Sequence, residues 1–139
     1  MALPTPAAGL VISYAYLWRD QQKGGATEGR KDRPCAVKDE DEDTLVYVAP
    51  ITHTPPSGDG GLEIPTAVKR RLGLDAAQSW IVTEELNRFI WPGYDLRPIA
   101  RERADVFHWG FLPVEVFAAL KAAVLRHQKA GRLGVVPRD

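Results

Sequence analysis

The sequence predicts a small, mainly β protein, built as a mostly antiparallel barrel with one strong helix near its C-terminal end. Several short runs of β-branched and aromatic residues alternate with long polar loops, which is typical of such barrels. A strong helical apolar stripe occurs only once, late in the chain. The length of 139 residues suits one domain with its own core. We therefore expect a single domain over residues 9–131, a flexible arm at 1–8 and a loose tail at 132–139.

The predicted strands are short apolar runs bounded by glycine, proline or charged residues. In chain order they are Gly9–Trp18, Arg33–Val37, Thr44–Ile51, Leu62–Ile64, Ser79–Thr83 and Asn87–Trp91, with a last short pairing within Tyr94–Ile99. The polar segments Arg19–Asp32 and Thr52–Gly61 are predicted to be long loops without structure of their own, and such loops are often functional. Short strands joined by long loops are the pattern of an SH3-like barrel.

Two segments have helical character. Pro65–Leu72 predicts one or two helical turns that end at Gly73. The stronger helix begins at Pro113, a residue suited to the first helical position, and ends at Gly131. Its apolar residues recur on one face, which predicts a buried stripe of Val116, Phe117, Leu120, Ala123 and Val124.

Composition excludes several classes of protein. The apolar fraction of 45% and the charged fraction of 26% are ordinary for a soluble globular domain. No apolar run approaches 18 residues, so we expect no membrane span, and the N-terminus does not resemble a signal peptide. A single cysteine, Cys35, excludes an internal disulfide and a multi-cysteine zinc site. A cytoplasmic protein is the expectation.

The charges are unevenly placed although the net charge is zero. Five consecutive acids form the run Asp39–Asp43, so the remainder of the chain is mildly basic. The basic clusters at Arg30, Lys31 and Arg33 and at Lys69–Arg71 suit the backbone of a nucleic acid. The three histidines, His53, His108 and His127, lie far apart and belong to no carboxylate-containing motif, so we expect no metal and no cofactor.

A candidate site lies where two predicted strands would meet. Arg33 opens the second strand, and Thr52 and His53 stand at the end of the third. If those strands are neighbours, a guanidinium and a hydroxyl come together, and a guanidinium offers phosphate a planar fork of donors. The alternative is that Arg33 is a solvated surface residue and that Thr52 serves β-structure and a local turn.

Five short segments, taken in their order and spacing, resemble the PemK/MazF-like toxins of bacterial type II toxin–antitoxin systems. They are Gly9-Leu10-Val11, Thr27-Glu28-Gly29, Arg33-Pro34, Ile51-Thr52 and Glu85-Leu86-Asn87-Arg88. The resemblance covers the chain from Gly9 to Arg126. It implies the CcdB/MazF-like toxin fold, a metal-independent endoribonuclease that cuts single-stranded RNA at short sequences, a homodimer, and inhibition by a cognate antitoxin protein.

The resemblance also implies roles for individual residues. The active-site arginine and threonine of the family match Arg33 and Thr52, and its loop glutamate matches Glu28. The 2′-hydroxyl of RNA would be the nucleophile, Arg33 would stabilise the phosphorane charge, and Thr52 would hold a phosphate oxygen. His53 or Glu28 would act as the base or acid. Because neighbouring strand residues point to opposite faces, His53 could instead be structural.

Further contacts to RNA are predicted from residues that carry a positive charge or a hydroxyl. These are Arg30, Lys31, Thr54, Lys69 and Arg88. The four tryptophans could stack on RNA bases, but tryptophans in a small barrel are mostly core, so we expect at most one to touch RNA.

Two other functions remain open from the sequence. One is a CcdB-like toxin that binds DNA gyrase and cuts nothing, and the other is a barrel that binds RNA without cleaving it. Fold does not decide between them. The pairing of Arg33 with Thr52 favours the nuclease, since a protein-binding toxin needs no such pair.

Overall fold

The computed structural model describes residues 6–25, 33–40, 45–92, 95–99 and 106–138. Within these residues the chain forms eight strands and three helices. In chain order they are β1 (Leu10–Tyr14), α1 (Arg19–Lys23), β2 (Arg33–Glu40), β3 (Leu45–Thr52), β4 (Gly61–Glu63), α2 (Thr66–Leu72), β5 (Trp80–Val82), β6 (Glu85–Ile90), β7 (His108–Phe111), α3 (Val114–Lys129) and β8 (Gly134–Pro137).

The strands form one mainly antiparallel sheet, which confirms the predicted fold class together with the C-terminal helix α3. The strand order is β4-β5-β3-β2-β1-β7, and β6 pairs with both β3 and β8. Among the described strands, only the β6–β8 pair is parallel. The path through the described strands ends at β4 and β7, so the hydrogen bonding does not close into a complete barrel.

Strand β3 is the centre of this architecture because it has different partners along its length. Its Leu45–Val48 half pairs with β6, and its end at Ile51 and Thr52 pairs with β5. Along its other edge it pairs with β2, with Cys35 opposite Pro50 and Ala36 opposite Ala49. The prediction that the second and third strands are neighbours is therefore confirmed, and the ends of β2 and β3 lie side by side.

The core lies on both faces of the sheet. Alternate residues of β1 face opposite ways: Val11 packs in the cluster that contains α3, while Ile12 and Tyr14 pack in the cluster on the other face. All five residues of β1 are buried. Cys35 is also buried, and this burial raises the pKa of its thiol far above the ordinary value, so the thiol is inert.

The helices α2 and α3 agree with the sequence analysis. Gly73 ends α2 in the left-handed conformation with φ 80°, which a residue without a Cβ adopts at little cost. The stripe of α3 faces the core through Val116, Leu120, Ala123 and Val124, with Phe117 partly buried beside it. In the described part of the chain, no helix is long and apolar enough to span a membrane.

The prediction that Arg19–Asp32 has no structure of its own is wrong at its start, where α1 forms. The Trp18 amide donates to Gln21 Oε1 (3.2 Å), and the Arg19 amide donates to Glu85 Oε2 (2.9 Å) on β6. These bonds satisfy amides at the helix start that have no partner within a helix. Glu85 is distant in sequence, so local patterns do not indicate this helix.

The prediction of a loose C-terminal tail is also wrong. Residues 134–137 form β8, which runs parallel to β6 with Gly134 opposite Glu85 and Pro137 opposite Arg88. The Arg138 guanidinium then forms an ion pair with Asp95 (Nη2–Oδ2 3.0 Å), and both side chains are largely buried. A strand of four residues depends on a tertiary partner, so its own sequence gives little sign of it.

Candidate active site

A cavity of about 830 Å³ opens beside the ends of β2 and β3. This volume lies within the range of about 300–1,000 Å³ that is usual for ligand sites. Its polar wall is formed by Ser13, Arg33, His53, Lys69, Asp75 and Ser79, and its apolar wall by Pro34, Ile51, Leu74, Pro98, Ile99 and Trp109. The cavity therefore combines a cation, a histidine–carboxylate pair and an aromatic surface.

Arg33 is half-buried, and two contacts hold its guanidinium in place. Nη1 donates to the carbonyl oxygen of Ile51 (3.3 Å) at the end of β3, and the guanidinium carbon lies 5.0 Å from the centre of the Trp18 ring. Its Nε is buried and has no hydrogen-bond partner in the described part of the chain. The strand register thus places a fixed positive charge in the cavity wall.

His53 forms a close pair with a residue that the sequence analysis did not identify. Its Nε2 lies 2.8 Å from Asp75 Oδ2, and both side chains are more than half exposed. The other carboxylate oxygen, Oδ1, accepts from Lys69 Nζ (2.7 Å) and from the Ala77 amide (3.1 Å). The hydrogen bond from Lys69 is the main reason why the pKa of Asp75 lies below its ordinary value, so Asp75 is ionised at neutral pH.

Lys69 is not the exposed phosphate-binding cation that its basic cluster predicts. Its side chain is buried, and its ammonium donates to Asp75 Oδ1, to the Ala77 carbonyl oxygen and to Ser79 Oγ (2.6 Å). An ammonium has three donors. All three are therefore occupied in closing the loop between α2 and β5, and none remains for RNA.

Thr52 does not line the cavity, although its neighbours Ile51 and His53 do. This alternation follows from the strand geometry. Thr52 Oγ1 accepts a hydrogen bond from the Thr54 amide (3.2 Å). This is the local turn bond that the sequence analysis gave as the alternative role of Thr52. The predicted RNA contact Thr54 is exposed beside it.

The remaining predicted site residues lie elsewhere. Arg88 is half-buried on β6 opposite Tyr47 and is not part of the cavity lining. Glu28, Arg30 and Lys31 lie outside the described residues.

Ser13, Asp75 and Ser79 are polar cavity residues that the sequence analysis did not single out, and Trp109 was considered there only as one of four tryptophans. Asp75 follows the glycine-terminated helix α2 within a loop, and nothing local distinguishes it from a solvated turn residue. Trp109 lies on β7, a strand that the sequence did not reveal. Contacts of this kind depend on chain segments that meet only in the folded protein.

A second histidine lies in a group with two carboxylates, away from the cavity. The side chains of Asp59, Glu84 and His127 each offer an atom within 4.8 Å of the others. However, His127 Nδ1 accepts from Arg132 Nη2 (3.1 Å), since a guanidinium only donates. The proton of the neutral ring is then on Nε2, which lies 3.1 Å from Thr83 Oγ1 and from the Asp59 carbonyl oxygen. With this tautomer the ring has no lone pair left for a metal ion.

Comparison with known proteins gives structural matches only. No protein-family model and no curated protein sequence matches the chain. An endoribonuclease in complex with its cognate antitoxin, from a mycobacterial species, matches with a TM-score of 0.56 over 90% of this chain and 96% of that one, at 9% identity. The MazE–MazF complex from Deinococcus radiodurans matches with a TM-score of 0.54 over 89% of this chain and 96% of that one, at 14% identity.

Both matches extend over nearly the whole of each chain, so the common feature is the complete fold and not a single motif. The protein has a MazF-like fold. The resemblance to the PemK/MazF-like toxins that the sequence indicated is therefore confirmed at the level of the fold. At these identities the fold is what the chains share, and the chemistry must be argued from the cavity itself.

Proposed function

We propose that this protein is the toxin of a type II toxin–antitoxin system and acts as a metal-independent endoribonuclease on single-stranded RNA. The observation that carries the proposal is the presence of Arg33 and the His53–Asp75 pair in the wall of one cavity. A fixed cation and a proton-transferring imidazole are two of the groups that cleavage of a phosphodiester by its own 2′-hydroxyl requires.

In the proposed reaction, His53 removes the proton of the 2′-hydroxyl as its oxygen attacks the neighbouring phosphorus. The O2′–P bond forms, and the bond from phosphorus to the 5′-oxygen breaks. Arg33 stabilises the charge that develops on the phosphorane oxygens. The products are a 2′,3′-cyclic phosphate and a 5′-hydroxyl. The leaving oxygen takes up a proton from a second group, and we assign this role to Glu28 on the resemblance alone.

The cavity also offers a surface for a base. Trp109 lines it together with Pro98 and Ile99, and an unstacked base can pack against an aromatic ring. Of the four tryptophans, we propose Trp109 as the one that contacts RNA. Thr52 has no phosphate contact in this proposal, because its hydroxyl serves the turn to Thr54.

The proposal includes a biological setting. We propose that the protein acts in the cytoplasm on mRNA, as a homodimer, and that a cognate antitoxin blocks the cavity. The two matching structures described above are complexes with a cognate antitoxin and with MazE. These partners are those of the matched proteins, and they support an antitoxin as the partner proposed here.

The test is incubation of the purified protein with a long RNA in EDTA. We expect cleavage in single-stranded regions and fragments that end in a 2′,3′-cyclic phosphate or a 3′-phosphate. Duplex RNA should resist, because the base stack holds the 2′-hydroxyl out of line. A strict requirement for Mg²⁺ would contradict the mechanism, and binding without cleavage would favour the RNA-binding barrel.

A further inference from the structure

The geometry points to Asp75 as a positioning residue that fixes the tautomer of His53, with buried Lys69 fixing Asp75 for this purpose. The effect of Asp75 on catalysis rests on the proposed function. The effect of Asp75 on the tautomer of His53 can be measured without RNA.

The two oxygens of the Asp75 carboxylate have separate partners. Oδ1 accepts from Lys69 Nζ and from the Ala77 amide, at 2.7 Å and 3.1 Å. Oδ2 is left for His53 Nε2, at 2.8 Å. Since two donors hold Oδ1, the carboxylate cannot rotate without losing them. Its second oxygen is therefore aimed at one nitrogen of His53.

Lys69 acts as the anchor of this arrangement. It comes from α2, and its ammonium also binds the Ala77 carbonyl oxygen and Ser79 Oγ in the segment that leads into β5. The side chain is only 6% exposed, whereas that of Asp75 is 57% exposed. An exposed ion pair is usually mobile. Here the Lys69 ammonium is buried and all its donors are used. The exposed carboxylate of Asp75 is therefore held in a fixed position.

The consequence for His53 follows from the chemistry of imidazole. A carboxylate only accepts hydrogen bonds, so a neutral His53 must carry its proton on Nε2 to bind Asp75. The lone pair is then on Nδ1, and Nδ1 is the atom that takes the 2′-hydroxyl proton. The ionised Asp75 keeps its charge and stabilises the imidazolium that forms. No proton passes to Asp75.

The substitution Asp75→Asn tests this directly because the orientation of its amide is predictable. The oxygen of the new side chain should keep its place opposite Lys69 and the Ala77 amide, since both are donors. The amide nitrogen then faces His53 and donates to Nε2. We expect His53 to move its proton to Nδ1, which removes the base from the cavity.

The first measurement is the ¹⁵N spectrum of the imidazole nitrogens in the labelled full chain at about pH 8.5, well above the ordinary histidine pKa of about 6.5. His53→Gln assigns the signal among the three histidines. We expect the Nε2–H tautomer in the parent protein and the Nδ1–H tautomer in Asp75→Asn. The parent tautomer persisting in a folded Asp75→Asn would overturn the inference.

The second measurement is cleavage of a single-stranded RNA. With the wrong tautomer, kcat should fall about 10²-fold while KM changes little, because general base catalysis contributes at least that factor. Asp59→Asn is the matched control. Asp59 is an equally exposed aspartate whose carboxylate pairs with Arg126 and Arg132 away from the cavity, so its replacement should change neither the tautomer nor kcat. An unchanged kcat in folded Asp75→Asn would overturn the catalytic half.

A second variant covers the case in which Asp75→Asn unfolds. Removing one partner of a buried charge leaves that charge uncompensated, and here the charge is Lys69. The double variant Lys69→Met with Asp75→Asn has no buried cation and should fold. We expect it to lose the Nε2–H preference of His53. If it keeps that tautomer and the parent kcat, the inference is wrong.

The two proposals fail in different ways. A parent protein that has the Nε2–H tautomer but cuts no RNA would remove the proposed function and leave the role of Asp75 in place. A parent protein that cuts RNA at a rate independent of Asp75 would remove the inference and leave the nuclease.

Discussion

Arg33 is held in the cavity wall by a contact that depends on the pairing of β2 with β3. Its guanidinium binds the carbonyl oxygen of Ile51 and lies on the face of Trp18. These contacts restrict a long and otherwise flexible side chain before any ligand binds. A donor that is already oriented stabilises developing charge without further reorganisation. The residue thus combines a modest structural role with a large expected role in the reaction.

We expect Arg33→Ala to lower single-turnover cleavage by about 10²–10³-fold, the loss that follows removal of one preorganised donor. Arg33→Lys should not restore cleavage, because an ammonium lacks the planar fork. The loss of the ring contact and of one hydrogen bond should reduce the free energy of unfolding by about 1–2 kcal/mol. Exposed Lys121 on α3 provides the control Lys121→Ala. Cleavage by Arg33→Ala at the parent rate would place the active site elsewhere.

A substitution at Thr52 distinguishes a role in stabilising the turn from a role in binding phosphate. Its hydroxyl accepts from the Thr54 amide. We expect Thr52→Val to lower the free energy of unfolding by about 1 kcal/mol, and Thr52→Ser to restore it. Cleavage should fall far less than the about 10²-fold expected for a lost phosphate donor. A large loss of cleavage in Thr52→Val with an unchanged melting curve would return Thr52 to the active site.

At the scale of the elements, β6 joins parts of the chain that are distant in sequence. It pairs with β3 on one edge and with β8 on the other, and Glu85 at its start also binds the first amide of α1. The C-terminal segment is thus part of the sheet, and the Arg138–Asp95 ion pair fastens it to the segment after β6. Stability should therefore depend on the last residues of the described chain.

The buried ion pair gives a test of this role for β8. Arg138 and Asp95 are 4% and 14% exposed, so Arg138→Ala leaves a carboxylate buried without its cation. We expect a loss of about 3–5 kcal/mol in the free energy of unfolding, measured by urea denaturation. Arg126→Ala is the matched control, since Arg126 is 54% exposed and lies 3.8 Å from its partner Asp59. This variant should change the free energy of unfolding by no more than about 0.5 kcal/mol. Equal losses in the two variants would show that β8 is not fastened in this way.

At the scale of the whole molecule, the cavity beside the ends of β2 and β3 is both cationic and apolar. Arg33 provides the charge, and Pro98, Ile99 and Trp109 provide the apolar wall. RNA and an acidic, apolar peptide are the two kinds of ligand that fit such a surface. In the proposed function, RNA and the antitoxin therefore occupy the same cavity and exclude each other.

We predict that a peptide with acidic and apolar residues, taken from the cognate antitoxin, displaces a labelled single-stranded RNA from the protein. Raising the salt concentration should weaken both ligands, because each neutralises basic side chains. A neutral peptide of the same length is the control and should not compete. The measurement is fluorescence anisotropy of the RNA. A ternary complex of peptide, RNA and protein at one cavity would contradict the shared site.

Local sequence patterns were sufficient where an element depends on its own residues. The apolar stripe of α3 predicted its buried face, Gly73 predicted the end of α2, and the apolar runs on either side of the acidic stretch predicted that β2 and β3 exist. The placement of Arg33 beside the end of β3 followed from the pairing of those two strands.

The tertiary structure decided what depends on contacts between distant segments. The strand register and pleat turned Thr52 away from the cavity and His53 towards it. The folding of the α2–β5 loop onto Lys69 converted a basic residue into a buried anchor and brought Asp75 to His53. No local periodicity encodes these contacts, because hydrogen bonds between side chains form only after the core has fixed the positions of the backbones that carry them.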